Sequence, residues 1–308
     1  MIRHLGVIAL MMRGMMGLIA SQVEVDIEKG VCRIEKREYP LVGYGSYLQM
    51  HAETVDTAAK NGYRIIDTAT YYKNFEGIAE AFKEWNRKDF YIISKVWRDE
   101  QQPDDLRKDL ERALEQLQMD YIDAYLLHLP NSEIPIEKTL TAMEELRRAK
   151  KIRHIGLSNV SINHIKRALE VGVPITWVQN EMHPHFYDPQ LLAFCKAHGI
   201  GVQAWAPLGR GRLSRDPFLA ETGKKYGKTA AQVAIRWIVQ HGCIPLPGSK
   251  NPLHIQENSD IWDFELTKEE MEAIDKTASQ GERERFKKEV FGFEDEFDFS
   301  YEECWPKN

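Results

Sequence analysis

The chain has 308 residues, of which 43% are hydrophobic and 29% are charged, a composition typical of a globular protein. Its 41 lysine and arginine residues against 47 aspartate and glutamate residues give a net charge of −6, which disfavours nucleic acid and anionic membranes as partners. Four cysteines without paired spacing predict neither a disulfide framework nor a zinc site, and they favour the reducing cytoplasm. We therefore expect a small-molecule partner.

Residues 1–20 form an apolar extension that precedes the first predicted strand. Two basic groups followed by an apolar stretch that ends in Ala20 are typical of a secretory signal. Arg13 divides that stretch into two halves, each marginal for the apolar region of a signal and too short to cross a membrane. A signal peptide stays an alternative, but we favour a disordered extension or a non-native upstream start, because later methionines could begin the protein: Met11, Met12, Met15 and Met16.

The next segments alternate in a way that predicts strands and helices in turn. Residues 23–36 alternate like a β-hairpin with its turn at Lys29 and Gly30, and this hairpin would cover one end of the fold. Amphipathic segments such as PDDLRKDLERALEQLQ, with Leu106, Leu110 and Leu114 on one face, predict helices between later strands. The eight strands predicted after the hairpin are VGYGSY from 42, YRIIDTA from 63, FYIISKV from 90, YIDAYLLH from 121, IRHIGLSN from 152, ITWVQNE from 175, IGVQAWAP from 200 and CIPLPGS from 243.

Eight apolar strands, each followed by a helix, predict a fold of the α/β class: an eightfold parallel (β/α) TIM barrel with an N-terminal β-hairpin. An open, doubly wound sheet is the alternative, but no G-x-G-x-x-G turn follows a first strand. We place the barrel in residues 21–280. Residues 281–308 form a tail that alternates acidic and aromatic residues and matches no pattern that we can place.

Polar residues stand at the carboxyl ends of three neighbouring predicted strands, where barrels of this kind place their chemistry. Asp67 ends the second strand with Tyr72 just after it, Lys95 lies in the third and His128 ends the fourth. A lysine cation favours the phenolate and would lower a tyrosine pKa from about 10, while Asp67 would supply the counter-ion of a buried lysine. His128 could then orient a carbonyl oxygen. Taken singly, Asp67 could cap a helix, His128 could belong to the core and Lys95 could extend to solvent.

A metal site built from His128, His183 and His185 is a further alternative. The segment MHPH offers only alternate residues on a predicted loop, without a cysteine nearby. We therefore predict no metal.

Four segments in order show a resemblance to the aldo-keto reductase family. GYRIIDTATYYKN resembles the family segment G-Y-R-x-I-D-T-A-x-x-Y-x-N, ISKVW its lysine strand, YIDAYLLHLP its histidine strand and IGLSN its cofactor strand. The resemblance covers about residues 23–280. It implies an eightfold barrel that transfers a hydride from a nicotinamide cofactor to an aldehyde or ketone. It further implies Tyr72 as general acid, Lys95 and Asp67 as the residues that tune it, and His128 as the residue that orients the carbonyl.

The same resemblance implies cofactor and substrate contacts. Ser158, Asn159 and Gln179 would hold the carboxamide, and Trp205 would stack on the nicotinamide where the family usually has tyrosine, although it could instead be a core aromatic. Backbone amides at Leu208 and Gly209 would approach the pyrophosphate. The full implied cofactor set is Ser46, Ser158, Asn159, Gln179, Trp205, Leu208, Gly209, Ser249, Lys250, His254, Glu257 and Asn258, and Tyr47 and Trp97 would lie beside the substrate.

The last predicted strand departs from the family pattern. The lysine and arginine that usually grip the ribose 2′-phosphate fall on Gly248 and His254 in LPGSKNPLHIQEN. Lys250 offers a cation two residues later, which can bind a phosphate as a point charge. We favour NADPH as the cofactor and leave NADH open.

We therefore predict a monomeric, cytoplasmic, NADPH-dependent carbonyl reductase. A cofactor-sensing regulatory subunit with little turnover is the alternative, since some barrels of this family serve as subunits of potassium channels. Steady oxidation of NADPH by aldehydes would discriminate between the two.

Overall fold

The structure is a computed structural model, and it describes residues 23–48 and 51–278. The predicted extension at residues 1–20 and the predicted tail at residues 281–308 lie outside the described residues.

The centre of the fold is an eight-stranded parallel sheet whose strands follow one another in chain order. A short antiparallel sheet precedes it. The strands are β1 (Val23–Asp26), β2 (Val31–Ile34), β3 (Arg37–Pro40), β4 (Tyr44–Gly45), β5 (Ile65–Asp67), β6 (Tyr91–Val96), β7 (Ile122–Leu127), β8 (Ile152–Ser158), β9 (Ile175–Glu181), β10 (Gly201–Trp205) and β11 (Ile244–Pro245). Strands β4 to β11 correspond to the eight strands predicted after the hairpin, so the predicted strand order is confirmed.

The large sheet curls until its first and last strands meet. The Gly43 amide donates to the Pro245 carbonyl and the Gly45 amide to the Pro247 carbonyl, both at 3.0 Å. These bonds join the segment around β4 to the segment around β11. The predicted barrel architecture is therefore confirmed.

Helices cover the outside of this sheet. They are α1 (Ala52–Lys60), α2 (Phe75–Ala81), α3 (Pro103–Leu117), α4 (Ile136–Arg148), α5 (Ile162–Glu170), α6 (Pro189–Ala197), α7 (Pro217–Lys224), α8 (Ala230–Gln240), α9 (Pro252–Ser259) and α10 (Lys268–Asp275). Proline occupies the first turn of α3, where its missing N–H has no helical partner to lose. Helix α8 starts with a capping box between Thr229 and Gln232. Within the described residues, no helix is long and apolar enough to cross a membrane.

The N-terminal hairpin is confirmed, but it continues into a third strand. Strand β2 pairs with β3 across a two-residue turn in which Glu35 has a φ of +54°. The Tyr39 ring packs on Tyr91 at the start of β6, with 5.4 Å between ring centroids. The Val23 side chain lies against the start of β10 at Gly201. This small sheet thus covers the amino ends of the barrel strands and leaves the carboxyl ends uncovered.

Candidate active site

Three side chains from the carboxyl ends of β5 and β6 and from the turn after β5 are joined by hydrogen bonds. The Lys95 Nζ atom lies 2.7 Å from Asp67 Oδ1 and 3.2 Å from the Tyr72 hydroxyl, and it also donates to the Thr68 carbonyl at 3.0 Å. Lys95 and Asp67 are almost completely buried. A buried lysine is costly unless it is paired and hydrogen-bonded, and these three contacts satisfy its three donors.

In the Lys95–Asp67 pair, each charge opposes the effect that burial has on the pKa of the other residue. Burial raises the pKa of Asp67, and the Lys95 charge opposes that rise. Burial likewise lowers the pKa of Lys95, and the Asp67 charge opposes that fall. The second oxygen of Asp67 accepts from Gln179 Nε2 at 2.7 Å, which adds a bond that favours the carboxylate.

The prediction that Lys95 lowers the pKa of Tyr72 is wrong for the protein by itself. Removal from water raises the pKa of Tyr72 well above 10, and the Asp67 charge raises it further, while Arg210 opposes this shift. The physical reason is burial, which disfavours the charged phenolate more than nearby positive charge favours it. Tyr72 is consequently protonated at neutral pH, which is the state that a proton donor requires.

His128 stands beside the phenol, with its ring edge-on to that of Tyr72 at 5.7 Å between centroids. Removal from water lowers the pKa of His128 well below 6.5, and the nearby Lys95 charge lowers it further. The imidazole is therefore neutral at pH 7 and carries one N–H. Its Nδ1 atom is buried and has no hydrogen-bond partner among the described residues.

Tyr72 lies in a single turn of 3-10 helix, Thr70–Tyr72, which we call the tyrosine turn. The Tyr72 amide donates back to the Ala69 carbonyl at 2.9 Å, so the backbone is turned here rather than extended. The two side chains still diverge. Tyr71 is 51% exposed and stacks on Trp97, whereas Tyr72 points to Lys95.

Of the two residues predicted beside the substrate, Tyr47 contacts Tyr72 directly and Trp97 contacts its neighbours. The Tyr47 ring lies 5.0 Å from the Tyr72 ring and is 39% exposed. Trp97 stacks on Tyr71 at 4.3 Å and meets the His128 ring edge-on at 5.1 Å. Aromatic rings therefore lie against Tyr72 itself and against its neighbours Tyr71 and His128.

The implied carboxamide-binding residues form a hydrogen-bonded row next to His128. The Asn159 side-chain amide donates to the His128 carbonyl at 2.9 Å and to Ser158 Oγ at 3.2 Å. Its oxygen accepts from the indole N–H of Trp205 at 3.0 Å. Trp205 is half-buried rather than a core residue.

Ser46, another residue of the implied cofactor set, is fully buried. Its hydroxyl donates to the Asp67 carbonyl at 2.7 Å, and it accepts from Asn74 Nδ2 at 2.9 Å. In this arrangement Ser46 fixes the end of β5 from behind.

Leu208 and Gly209 begin the loop after β10, which continues as the helical segment Gly209–Arg215. Gly209, Arg210 and Gly211 all have a positive φ, so the backbone turns sharply here. The arginines of this loop are exposed, at positions Arg210, Arg212 and Arg215. In a chain of net negative charge, this local positive charge and turned backbone fit an anionic group such as a pyrophosphate.

The residues predicted to bind the adenine end follow β11 and surround α9. The Ser249 carbonyl accepts from the Tyr44 hydroxyl at 3.0 Å, which ties this segment to the barrel. Asn258 is buried, whereas Lys250, His254 and Glu257 are exposed. The structure thus brings the predicted catalytic and carboxamide-binding residues together, and it places the predicted adenine-binding residues on the segment after β11 and on α9.

Gly248 stands at the seam between the two ends of the sheet. A Cβ atom at this position would lie 2.2 Å from the Gly45 carbonyl oxygen, a distance that requires the backbone to move. The position where the resemblance places the family lysine therefore has no room for a side chain in this fold.

We expect Gly248→Ala to lower the free energy of unfolding by about 1 to 3 kcal/mol, since it forces a methyl group against a backbone oxygen. Urea denaturation checks this value. Ser249→Ala, one residue further on, is the matched control and should change stability less. Equal stability of Gly248→Ala and the parent protein would contradict the close contact.

The proposed histidine cluster does not gather around a metal site. His183 Nε2 pairs with Glu181 at 3.1 Å, while His185 Nε2 pairs with Asp216 at 2.9 Å. Within residues 23–48 and 51–278, no group of three or more histidine, cysteine or acidic side chains is arranged to hold a metal ion.

Two residues of the site were not predicted from the sequence. Gln203 accepts from Gln179 at 2.9 Å and so extends the network of Asp67 into β10. Asn74 binds both Thr68 and Ser46 behind β5. The available signal was polarity itself, because Gln203 interrupts an otherwise apolar strand and a buried polar residue needs a partner.

Comparison with known proteins agrees with this geometry. The sequence model of the aldo/keto reductase family matches residues 47–279. Glyoxal reductase of Bacillus subtilis (strain 168) is 41% identical over 226 residues, 72% of this chain and 82% of that protein. Methylglyoxal reductase DkgA of Escherichia coli (strain K12) is 37% identical over 253 residues, 79% of this chain and 91% of that protein. The aldose reductase structure from Schistosoma japonicum superposes with a TM-score of 0.74 at 31% identity and covers 79% of this chain and 89% of its own.

Proposed function

The chain belongs to the aldo/keto reductase family, and from that premise we propose that it reduces small aldehydes and ketones to alcohols with NADPH, using Tyr72 as general acid. The observation that carries this proposal is the contact of the Tyr72 hydroxyl with Lys95 Nζ at 3.2 Å, beside a neutral imidazole. A protonated phenol, a cation and a neutral N–H donor within one site suit the reduction of a carbonyl group.

Each residue of the site has a separate role in the proposed protonation of the carbonyl oxygen. His128 donates a hydrogen bond that orients this oxygen, and Tyr72 transfers its phenolic proton to it as negative charge develops there. Lys95 then stabilises the phenolate, and Asp67 holds Lys95 in place. The nicotinamide cofactor, when bound, supplies the hydride that adds to the carbonyl carbon.

The residues around the site fit such a cofactor. Asn159, Ser158 and Gln179 provide the amide and hydroxyl groups that a carboxamide requires, and Trp205 provides an aromatic face. The arginine-bearing loop Gly209–Arg215 suits the pyrophosphate.

We infer that 2-oxoaldehydes are the preferred substrate class, because the relatives named above are a glyoxal reductase and a methylglyoxal reductase. The test is oxidation of NADPH, followed at its absorbance band, with glyoxal and methylglyoxal against acetaldehyde and propanal of similar size. Higher kcat/KM for the dicarbonyl compounds supports the inference, and equal values contradict it. Absence of steady turnover with every carbonyl would favour a cofactor-sensing subunit instead.

We also propose that the protein acts as a monomer in the cytoplasm. Light scattering of the purified protein and fractionation of cells that express the native gene test these two statements.

Lys250 is the proposed contact of the 2′-phosphate, since it is an exposed cation just before the first turn of α9. We expect Lys250→Ala to weaken NADPH binding by about 1.5 to 3 kcal/mol, the range for a charged hydrogen bond, with NADH binding nearly unchanged. Fluorescence titration of both cofactors measures the two losses. His254→Ala should weaken NADPH binding less than Lys250→Ala does. Equal losses for NADPH and NADH would make Lys250 a structural residue.

A further inference from the structure

Asp109 is a buried carboxylate that the proposed reaction does not use. It lies on the inner face of α3 together with Leu106, Leu110 and Ala113, and it is 0% exposed. An apolar residue would be expected on such a face, because a buried carboxylate is costly even when it is paired. The contacts of Asp109 should therefore show why a carboxylate is buried at this position.

Three donors from three different elements surround this carboxylate. Its Oδ2 atom accepts from the Thr70 hydroxyl at 2.9 Å and from the Tyr125 hydroxyl at 2.5 Å. Its Oδ1 atom accepts from the Arg112 guanidinium at 2.6 Å. These elements are the tyrosine turn, strand β7 and α3 itself.

The bond from Thr70 ties the tyrosine turn to the outer helix. Thr70 has one hydroxyl proton, and its alternative acceptor, the Lys95 carbonyl, lies at 3.4 Å. The shorter distance of 2.9 Å assigns that proton to Asp109. The first residue of the turn is thus held to α3, two residues before Tyr72.

A second series of contacts leads from the Asp109 carboxylate to Trp97. Arg112 bonds both Asp109 and Glu100, the latter at 2.9 Å. Glu100 ends the short helix Arg98–Glu100, and its amide bonds to the Trp97 carbonyl at 3.1 Å. The ring of Trp97 in turn stacks on Tyr71. Asp109 is therefore connected to both aromatic segments that flank the site.

We propose that Asp109 is a positioning residue that, through the Thr70 hydroxyl, holds the tyrosine turn so that the Tyr72 hydroxyl stays in line with Lys95 and the substrate carbonyl. The proposal rests on the proposed role of Tyr72 as general acid. It adds a determinant of that role outside the Asp67, Tyr72, Lys95 and His128 set.

The direction of the Asp109 pKa shift indicates that the carboxylate positions other groups and does not add to the stability of the fold. Burial raises the pKa of Asp109 from 3.8 to about 6, against the hydrogen bonds from Tyr125 and Thr70, and the Glu100 charge raises it further. The folded protein therefore binds this proton more tightly than the unfolded chain does. The contribution of Asp109 to stability consequently falls as the pH rises from 3.8 to about 6.

The first experiment compares Thr70→Val with Thr70→Ser. Valine keeps the shape of threonine but removes the proton that Asp109 accepts, whereas serine retains it. We expect Thr70→Val to lower kcat about tenfold with an unchanged Kd for NADPH, because misplacement of a reacting group by less than 1 Å has effects of this order. Thr70→Ser should keep kcat within about twofold of the parent protein. Parental kcat in Thr70→Val would overturn the proposal.

Tyr125→Phe is the matched control, since it removes a different donor from the same oxygen. Loss of the Tyr125 hydroxyl should lower Tm but keep kcat within about twofold of the parent value, because Tyr125 belongs to β7 and not to the tyrosine turn. An equal fall of kcat in Tyr125→Phe and Thr70→Val would show that the carboxylate acts only through general stability, which contradicts the proposal.

The pH profile adds a readout that a purely structural role would not change. The groups that face Asp109 are the donors Thr70, Tyr125 and Arg112 and the carboxyl group of Glu100, which raises the pKa of Asp109 by its charge and by a side-chain hydrogen bond. The three donors occupy both oxygens of the carboxylate, so a proton on Asp109, including one shared with Glu100, competes with them for an oxygen. We expect kcat to fall as the pH drops through about 6, and we expect Asp109→Asn to abolish this limb. Persistence of the limb in Asp109→Asn would overturn the assignment.

A measurement without turnover separates this proposal from the proposed function. In protein labelled with [ζ-¹³C]tyrosine, the Tyr72 resonance is identified by its absence in Tyr72→Phe. Thr70→Val should shift that resonance, and Thr70→Ser should not. A shift in a protein without carbonyl reductase activity would support the positioning by Asp109 and contradict only the proposed reaction. An unshifted resonance in an active protein would contradict only the positioning.

Discussion

Replacement of Tyr72 by phenylalanine is expected to lower kcat for carbonyl reduction at least about a hundredfold, the scale expected for loss of a general acid. The change removes only the hydroxyl, which lies 3.2 Å from Lys95 Nζ. The ring remains to pack against Tyr47 and His128. Steady-state kinetics with a reactive aldehyde measures the loss, and fluorescence titration should show an almost unchanged Kd for NADPH.

Tyr71→Phe is the matched control for this prediction. Tyr71 is the neighbouring residue of the tyrosine turn, but its ring stacks on Trp97 and half of its surface is exposed. Loss of its hydroxyl should leave kcat within a fewfold of the parent value. Near-normal turnover of Tyr72→Phe would remove Tyr72 from the reaction and leave Lys95 or His128 as the candidate proton donor.

The strands of the barrel could be predicted because each is a short apolar run bounded by polar residues, and burial on both faces imposes that pattern. Strand β3 could not, because it starts after a turn of Glu35 and Lys36. That turn lacks the glycine or asparagine that usually marks a two-residue hairpin. Tertiary packing on Tyr91 stabilises the strand where local sequence does not.

The residues that meet at the strand ends could be predicted as a set, but their electrostatics could not. Sequence reasoning placed Lys95 next to Tyr72 and inferred a lowered pKa for the phenol. In the structure, Asp67 lies within hydrogen-bonding distance of the same ammonium and the whole group is withdrawn from water, so the net shift is upward. The sign of such a shift depends on distances and burial, which sequence spacing does not provide.

At Asp109 the sequence contains an anomaly, a carboxylate on an apolar helix face, but does not say what that carboxylate contacts. Asp109 stands three residues after Leu106 and one before Leu110, on the predicted apolar face of α3. A carboxylate at such a position indicates a buried partner. The partners come from the tyrosine turn and from β7, and only the folded chain identifies them.

Replacement of Lys95 by methionine is expected to lower the free energy of unfolding by about 3 to 5 kcal/mol at pH 8, because it leaves the Asp67 carboxylate buried without its cation. Without Lys95, the hydrogen bond from Gln179 is left to oppose the effect of burial, which already raises the pKa of Asp67. A raised folded-state pKa means that stability falls as the pH rises above 3.8, so the loss should be smaller at pH 5 than at pH 8. Urea denaturation at the two pH values measures both quantities.

The double variant Asp67→Asn/Lys95→Met separates the stability of the pair from its use in the reaction. It removes both charges, so no unpaired ion stays in the core, and the amide oxygen of the introduced asparagine can still accept from Gln179. We expect the double variant to regain most of the stability lost in Lys95→Met while its kcat stays at least about a hundredfold below the parent value, because no cation remains to stabilise the Tyr72 phenolate. A double variant as unstable as Lys95→Met would show that the other hydrogen bonds of the ammonium, to the Thr68 carbonyl and the Tyr72 hydroxyl, rather than the pairing of charges, stabilise this part of the barrel.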